Sequence, residues 1–226
     1  MKYIKSIIPV LFMTTMISCG NMSEGGDNGG DGGEQKPKTF ATAEEAAKAA
    51  QADMVAAADN VNFGVDKEKL RSSAPGKPIM KQQVDFNMLL AADSAATLES
   101  MAKGEAVIAV PLIIGPEVVS IVTLRSENNQ FGIGTLGDKQ LSTELNMVSQ
   151  INNAMPEVAI LEVPNLNATV YAVKDTAGAS RYHTTYNNNS IRQPMRAPEL
   201  IRMLRADAEA FQKQFGDELK KGKLVR

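Results

Sequence analysis

Apolar residues recur at two different spacings along the chain, and the spacing predicts which segments are helices and which are strands. Thr42 to Asn60 is rich in alanine, and Thr42 with Glu45 three residues later forms a capping box, so this segment predicts a helix. Further helices are predicted from about Lys139 to Asn153 and from about Ala197 to Lys221, because their apolar residues recur every three or four positions.

Short runs of alternating or β-branched apolar residues lie between these helices and are typical of strands. Brief turn signals such as Gly115-Pro116 separate the runs, which indicates antiparallel pairing. Residues 72 to 79 hold two prolines and a glycine and are predicted to form a loop. The predicted strands are Val84 to Leu90, Val107 to Ile114, Val118 to Arg125, Phe131 to Thr135, Val158 to Val163, Ala168 to Lys174 and Arg181 to Tyr186.

The order of these elements predicts an α+β fold, an antiparallel sheet of about six to seven strands packed by an N-terminal, a middle and a long C-terminal helix. Strand, Val-Pro, strand, turn, strand and helix follow one another around Val110-Pro111 and again around Val163-Pro164. Two βββα units with their helices on one face of the sheet would fit this order. Residue identities do not repeat, so the sequence leaves open whether the halves are a true duplication.

The first twenty residues have the layout of an export signal. Lys2 and Lys5 precede an apolar run from Ile7 to Ile17, which is too short to span a bilayer. The run ends in Met16-Ile17-Ser18-Cys19-Gly20, which resembles the lipobox of bacterial lipoproteins. The resemblance implies cleavage before Cys19, a diacylglycerol on its sulfur and a fatty acyl chain such as palmitate on its amine.

A polar segment separates Cys19 from the predicted domain. Residues 20 to 38 hold seven glycines and four acidic residues, which predicts a flexible tether. By resemblance to lipoprotein sorting, Gly20 favours the outer membrane, and the acidic residues resemble a surface-export signal of one group of Gram-negative bacteria. The location is therefore expected to be the periplasmic face of that membrane or the cell surface. The predicted organisation is a signal peptide (1–18), the lipidated Cys19 with its tether (19–38) and a single α+β domain (39–226).

Composition and charge exclude several classes of function. One histidine and one cysteine make a zinc site or an internal disulfide unexpected, and a net charge of -2 argues against nucleic-acid binding. The chain has no tryptophan and 5% aromatic residues, which argues against a sugar cleft built on stacked rings. The partners expected are the membrane, through the lipid anchor, and a protein of the cell envelope.

The run Gly132-Ile-Gly134-Thr-Leu-Gly137 satisfies the dinucleotide-binding pattern G-x-G-x-x-G. That pattern needs a buried parallel strand before it and an acidic residue about twenty positions later, and neither is present. The alternative is a hairpin strand with glycine where side chains must be absent. We therefore predict no nucleotide and no cofactor.

His183 and three glutamates are the residues on which a catalytic role would depend. A lone histidine can act as a general base, but no nucleophile motif accompanies His183, and its strand predicts a solvated position. Glu144, Glu157 and Glu162 could supply a glycosidase-like pair, although the separation of two carboxylates cannot be read from a sequence. No catalytic and no metal-binding residue is assigned.

Two short motifs are candidates for modification. Asp93-Ser94-Ala95 and Asp175-Thr176-Ala177 resemble the O-glycosylation acceptor pattern of the bacterial group with that surface-export signal, which implies modification at Ser94 and Thr176. The alternatives are a helix N-cap at Asp93 and a hairpin turn at Asp175.

The sequence as a whole predicts a membrane-anchored lipoprotein whose domain is a non-catalytic binding, structural or accessory module of the envelope. Two alternatives stay open: an envelope hydrolase with scattered active-site residues around His183, and an inhibitor-like regulatory domain, which rests on architecture alone.

Overall fold

A mixed β-sheet with helices on both faces forms the domain. The computed structural model describes residues 38–93, 95–152 and 156–220. The strands are β1 Thr39–Phe40, β2 Ala74–Pro75, β3 Ile79–Val84, β4 Ala102–Ile114, β5 Glu117–Glu127, β6 Gln130–Leu136, β7 Val158–Val163, β8 Ala168–Lys174 and β9 Ser180–Thr184. The helices are α1 Ala43–Ala57, α2 Lys67–Ser72, α3 Phe86–Ala91, α4 Lys139–Ile151 and α5 Ala197–Lys220.

The sheet joins two antiparallel meanders, β4–β6 and β7–β9, through β3. The strand order is β1-β6-β5-β4-β3-β7-β8-β9, with β2 pairing beside β4. β3 runs antiparallel to β4 and parallel to β7, where Lys81 lies opposite Ile160. We call the parallel β3–β7 pair the seam. With seven strands of five or more residues and the three predicted helices in place, the α+β prediction is confirmed.

Each face of the sheet has its own hydrophobic core. α1 and α2 cover one half of one face, and α3 and α5 cover the other half of that face. α4 covers the opposite face, called here the α4 face, through Leu141, Leu145 and Val148. Because neighbouring strand residues point to opposite faces, Ile160 packs in the core under α4 while Leu161 packs in the core under α5.

Side-chain caps fix where the helices begin. Thr42 Oγ1 accepts a hydrogen bond from the N–H of Glu45 at 3.1 Å, as the capping-box prediction requires of the threonine. Asp138 Oδ1 accepts from the N–H of Leu141 at 2.9 Å at the start of α4. The predicted bounds of α1, α4 and α5 therefore hold to within a few residues.

The amide of Asn146 attaches α4 to the sheet. Its Oδ1 accepts from the N–H of Val118 and its Nδ2 donates to the carbonyl of Val118, both at 2.7 Å. Val118 lies next to a shift in the β4–β5 register, between Leu112 and Ile113. Asn146 therefore gives hydrogen-bond partners to backbone groups of β5 where the ladder is irregular.

The prediction that the helices share one face is wrong. α4 and α5 follow the two meanders, yet they lie on opposite faces of the sheet. The meanders extend from β3 in opposite directions along the sheet. If the two βββα segments were copies of one unit, a two-fold axis normal to the sheet would relate them and would place both helices on the same face. Because α4 and α5 lie on opposite faces, the two segments are not equivalent units.

The predicted strand from Val84 to Leu90 is also wrong. β3 ends at Val84, and Asp85 caps α3 by accepting from the N–H groups of Asn87 and Met88, each at 2.9 Å. Leu89 is buried while Met88 is 46% exposed, so a helical face replaces the expected alternation. The aspartate cap therefore determines the structure here rather than the alternating pattern, and the strand forms over Ile79–Val84. This strand shares only Ile79 with the predicted loop, whereas the short β2 lies inside that loop.

Candidate functional site

A polar cleft of about 540 Å³ opens on the α4 face beside the seam. α4 borders the cleft with Gln140 and Glu144. The turn after β7 contributes Asn167, and the turn after β9 contributes Asn187 and Asn188. Four strand residues complete most of the lining: Lys81, Glu162, Thr169 and Tyr171.

Glu144 is a buried carboxylate in this lining, with 6% of its surface exposed. Its Oε2 accepts from the hydroxyl of Tyr171 at 2.6 Å. Its Oε1 accepts from Thr185 Oγ1 at 3.0 Å and from Gln140 Nε2 at 3.2 Å. A buried charge is tolerated when it is hydrogen-bonded, and three donors meet that condition here.

Tyr171 supports the cleft from the central part of β8. The side chain is fully buried, and burial followed by the neighbouring carboxylate of Glu144 raises the pKa of the Tyr171 phenol well above its usual value. The phenol is therefore protonated across the physiological range and remains a hydrogen-bond donor to Glu144.

An ion pair crosses the seam at the cleft. Lys81 Nζ on β3 lies 2.9 Å from Glu162 Oε1 on β7, and the two side chains are 20% and 30% exposed. Both point to the α4 face, because Lys81 lies opposite Ile160 in the parallel register and Glu162 is two residues further along β7. Lys81 therefore already has an ion-pair partner within the protein.

The three cleft asparagines have left-handed backbone conformations. Asn167, Asn187 and Asn188 have φ values of 51°, 53° and 61°. Asn187 and Asn188 form the centre of a turn closed by a hydrogen bond from the N–H of Asn189 to the carbonyl of Tyr186 at 3.1 Å. Asparagine is among the few residues other than glycine that adopt this conformation readily.

The charged groups in the lining are one ammonium, of Lys81, and three carboxylates, of Asp138, Glu144 and Glu162. The cleft therefore carries a formal excess of two negative charges. Such an excess makes the local potential unfavourable for anionic ligands.

His183 is buried, so the prediction of a solvated position is wrong. It is 2% exposed, and its Nδ1 lies 2.8 Å from the carbonyl oxygen of Ile191. The segment after β9 folds back along that strand, with Tyr182 and Met195 forming a β-bridge, and covers the face on which His183 lies. His183 is not part of the cleft lining.

Two of the three candidate glutamates come together in the cleft. Glu144 from α4 and Glu162 from β7 both line it, whereas Glu157 precedes β7 and does not. The sequence did not identify Lys81, Tyr171 or the left-handed asparagines, because the elements that carry them are distant in sequence. The only sequence signal was the run Asn187-Asn188-Asn189, which is typical of a turn.

Gly132 and Gly134 of the glycine motif lie on β6, an antiparallel strand between β5 and β1, and Gly137 directly follows the strand. A Cβ atom at Gly134 would lie 3.1 Å from both the carbonyl oxygen and Oγ1 of Thr123, and Gly137 has a φ of +74°. At Gly132, a Cβ atom would meet nothing within 4 Å. The hairpin-strand interpretation is therefore confirmed, and at Gly134 a side chain would crowd Thr123 of the neighbouring strand.

Both modification motifs begin with an aspartate that caps a turn. Asp93 Oδ1 accepts from the N–H groups of Ala95 and Ala96, and Asp175 Oδ1 accepts from those of Ala177 and Ala179. Thr176 is exposed in the turn between β8 and β9. Ser94 lies outside the described residues, as do the signal peptide, Cys19 and the tether up to residue 37.

Within 38–93, 95–152 and 156–220, no three His, Cys, Asp or Glu side chains are grouped as a metal site would require. In those same ranges no helix has both the length and the apolarity needed to cross a membrane. No family model, curated protein or solved structure matches the chain.

Proposed function

We propose that this chain is a lipid-anchored protein of the bacterial envelope whose domain is a non-catalytic binding module. The anchor is Cys19, in the lipobox-like run Met16-Ile17-Ser18-Cys19, and the membrane is the outer one, with the domain in the periplasm or at the cell surface. The ligand site is the cleft on the α4 face.

The organisation of the cleft is the observation that carries the binding role. Glu144 accepts three hydrogen bonds, and Lys81 is paired with Glu162. Three hydrogen bonds occupy most of the roughly four acceptor sites of Glu144, and Lys81 neutralises the charge of Glu162. Groups already engaged in this way hold a fixed shape and orient their neighbours, which favours binding over chemistry.

A hydrolase built around His183 has little support from its surroundings. The Nδ1 partner of His183 is the backbone carbonyl of Ile191 rather than a carboxylate. Two of the acidic groups of the cleft, Glu144 and Glu162, have the hydroxyl of Tyr171 and the ammonium of Lys81 as partners instead.

Metabolic labelling tests the anchor. Radioactive palmitate should enter the full-length protein and fractionate with it into the outer membrane. Cys19→Ala should abolish the label, while the matched Ser18→Ala variant, which keeps the cysteine, should retain it. An unlabelled wild-type protein, or label that persists in Cys19→Ala, would show that the lipoprotein assignment is wrong.

Capture from the native envelope tests the cleft. The lipidated protein in detergent is incubated with a small-molecule extract of the envelope, and retained compounds are identified by mass spectrometry. Gln140→Trp places an indole at the cleft and should lower retention about tenfold or more, whereas Gln150→Trp, exposed near the end of the same helix, should not. Equal retention by both variants, or conversion of a retained compound, would contradict a non-catalytic binding role for the cleft.

A further inference from the structure

We propose that the cleft binds an uncharged, polyhydroxylated ligand of the oligosaccharide class, and that the amides of Asn167, Asn187 and Asn188 recognise its hydroxyl groups. The inference rests on the proposed function, because it names the ligand chemistry of the same cleft.

The scarcity of apolar lining residues is the first argument. Ligand pockets are usually lined mainly by hydrophobic and aromatic side chains. Here the aliphatic contributors are Leu141, which is 5% exposed, and Leu166. A ligand with large apolar groups would leave them against polar atoms, so the matching ligand is one that is polar on all sides.

Charge selects against ionic ligands. The formal excess of two negative charges in the lining repels phosphates and carboxylates. The one ammonium that would attract them, on Lys81, lies 2.9 Å from Glu162. The carboxylates that a cationic ligand would meet are already engaged, Glu162 by Lys81, Glu144 by three donors and Asp138 by the N–H of Leu141, so the lining favours a neutral molecule.

The asparagine amides complement hydroxyl groups. Each amide offers both a donor and an acceptor, and each hydroxyl of a sugar does the same. All three residues are exposed at the cleft. Glycine would satisfy the left-handed backbone at these positions equally well, so the conformation alone does not require three amides around one cleft.

Ring stacking has a small part in this recognition. Tyr171 is fully buried, and Tyr186 is partly buried with its hydroxyl donating to Asp207 at 2.9 Å. The low aromatic content argued against a sugar cleft built on stacked rings. In this cleft, amides and hydroxyls would contact the sugar in place of such rings.

The experiment measures retention of the lipidated full-length protein, in detergent, on arrayed oligosaccharides of three charge classes. Neutral hexose oligomers should be retained, while oligomers of uronic acids and of glucosamine should bind about tenfold or more weakly. The triple variant Asn167→Gly, Asn187→Gly, Asn188→Gly keeps the backbone conformation, removes the amides, and should lower neutral-sugar retention about tenfold or more.

A matched control is present in the same sheet. Asn128 and Asn129, in the β5–β6 turn, also have left-handed conformations, with φ values of 51° and 61°, and they lie outside the cleft. Asn128→Gly with Asn129→Gly should leave retention unchanged. Circular dichroism and the thermal transition of both variants establish that each is folded.

The outcomes separate the ligand class from the proposed function. Absence of binding to every neutral oligosaccharide, preference for a charged class, or wild-type retention by the triple variant would each overturn the inference. If the envelope extract still yields a compound whose retention Gln140→Trp abolishes, the binding module stands and the ligand class alone fails. Release of shortened sugars from the array would support the ligand class and contradict the non-catalytic role.

Discussion

The hydroxyl of Tyr171 donates a hydrogen bond to the carboxylate of Glu144 at 2.6 Å, and this contact joins the sheet to α4 inside the hydrophobic core. Tyr171 is fully buried and Glu144 is 6% exposed. Since burial and the neighbouring carboxylate raise the pKa of Tyr171, the donor does not ionise near neutral pH. The same pair therefore supports both the packing of α4 and the shape of the cleft.

Removing the hydroxyl of Tyr171 should lower the free energy of unfolding more than removing a comparable hydroxyl elsewhere. We expect Tyr171→Phe to lower the free energy of unfolding by about 1–3 kcal/mol, because a buried carboxylate loses its closest donor. Tyr186→Phe is the matched control, since that hydroxyl donates to Asp207 in a partly exposed setting and its loss should cost about 1 kcal/mol or less. Urea unfolding measures both, and equal losses would show that Glu144 does not depend on Tyr171.

Two glycines of the same motif should respond differently to substitution. Gly134→Ala places a Cβ atom 3.1 Å from the carbonyl oxygen of Thr123, a backbone atom that cannot rotate away. We expect a loss of about 1–3 kcal/mol. Gly132→Ala meets open space and should change stability by about 0.5 kcal/mol or less. Thermal unfolding of the two variants tests the difference, and equal shifts of Tm would contradict it.

Asp85 should make a pH-dependent contribution to stability. The N–H of Met88, followed by the ammonium of Lys103 at 3.0 Å, lowers the pKa of the Asp85 carboxyl in the folded protein. A carboxyl whose folded pKa is depressed stabilises the fold above its unfolded pKa of about 3.9, and this contribution disappears as the pH falls through the folded pKa.

Two variants separate the cap of Asp85 from its charge. Asp85→Asn keeps the N-cap of α3 and removes the titration, so its deficit relative to wild type at pH 7 should shrink as the pH falls below about 4. Asp85→Ala also removes the cap and should cost about 1 kcal/mol. The measurement is urea unfolding from pH 7 to pH 2. A deficit of Asp85→Asn that is constant over this range would contradict the assignment.

Glycosylation at Ser94 and Thr176 remains a prediction from their motifs, and the exposed turn makes Thr176 reachable by an enzyme. Protein from the native host should exceed the mass of the lipidated polypeptide, and Thr176→Ala should remove part of the excess. Thr143→Ala, an exposed threonine that no aspartate precedes, is the control and should not change it. An intact mass equal to the lipidated polypeptide would rule the modification out.

Local patterns predicted most of the elements but little of the site. The turn at Gly115-Pro116 and the spacing of Leu141 and Leu145 depend on neighbouring residues, so β4, β5 and α4 could be located from the sequence. At Asp85 two local signals conflicted, and the cap decided the structure. The seam could not be predicted, because pairing between strands distant in sequence depends on the whole sheet.

Most residues of the cleft could not be predicted from the sequence for the same reason. Glu144 and Glu162 were candidates because they are acidic. Their partners Tyr171 and Lys81 could not be identified, because only the strand order of the folded sheet brings these residues close to the two glutamates. The solvated position predicted for His183 was wrong because the segment around Ile191 buries it. Burial by a segment from elsewhere in the chain leaves no periodic signal in the strand that carries His183.

The seam also has a consequence for the order of folding. Lys81 and Ile160 are opposite each other but about 80 residues apart in sequence, and closing a loop of that length costs chain entropy. Each meander, by contrast, pairs strands that follow one another directly. We therefore expect the meanders to form first and the seam to complete the fold.

Since Lys81 and Glu162 lie on the two strands of the seam, we expect the cleft to be assembled only in that last step. Ligand binding would then recover later than secondary structure in a refolding experiment, and simultaneous recovery would contradict this order. Under the proposed function, a chain that has formed only its meanders would have most of its strands but no binding site, so the ligand would distinguish finished molecules from unfinished ones.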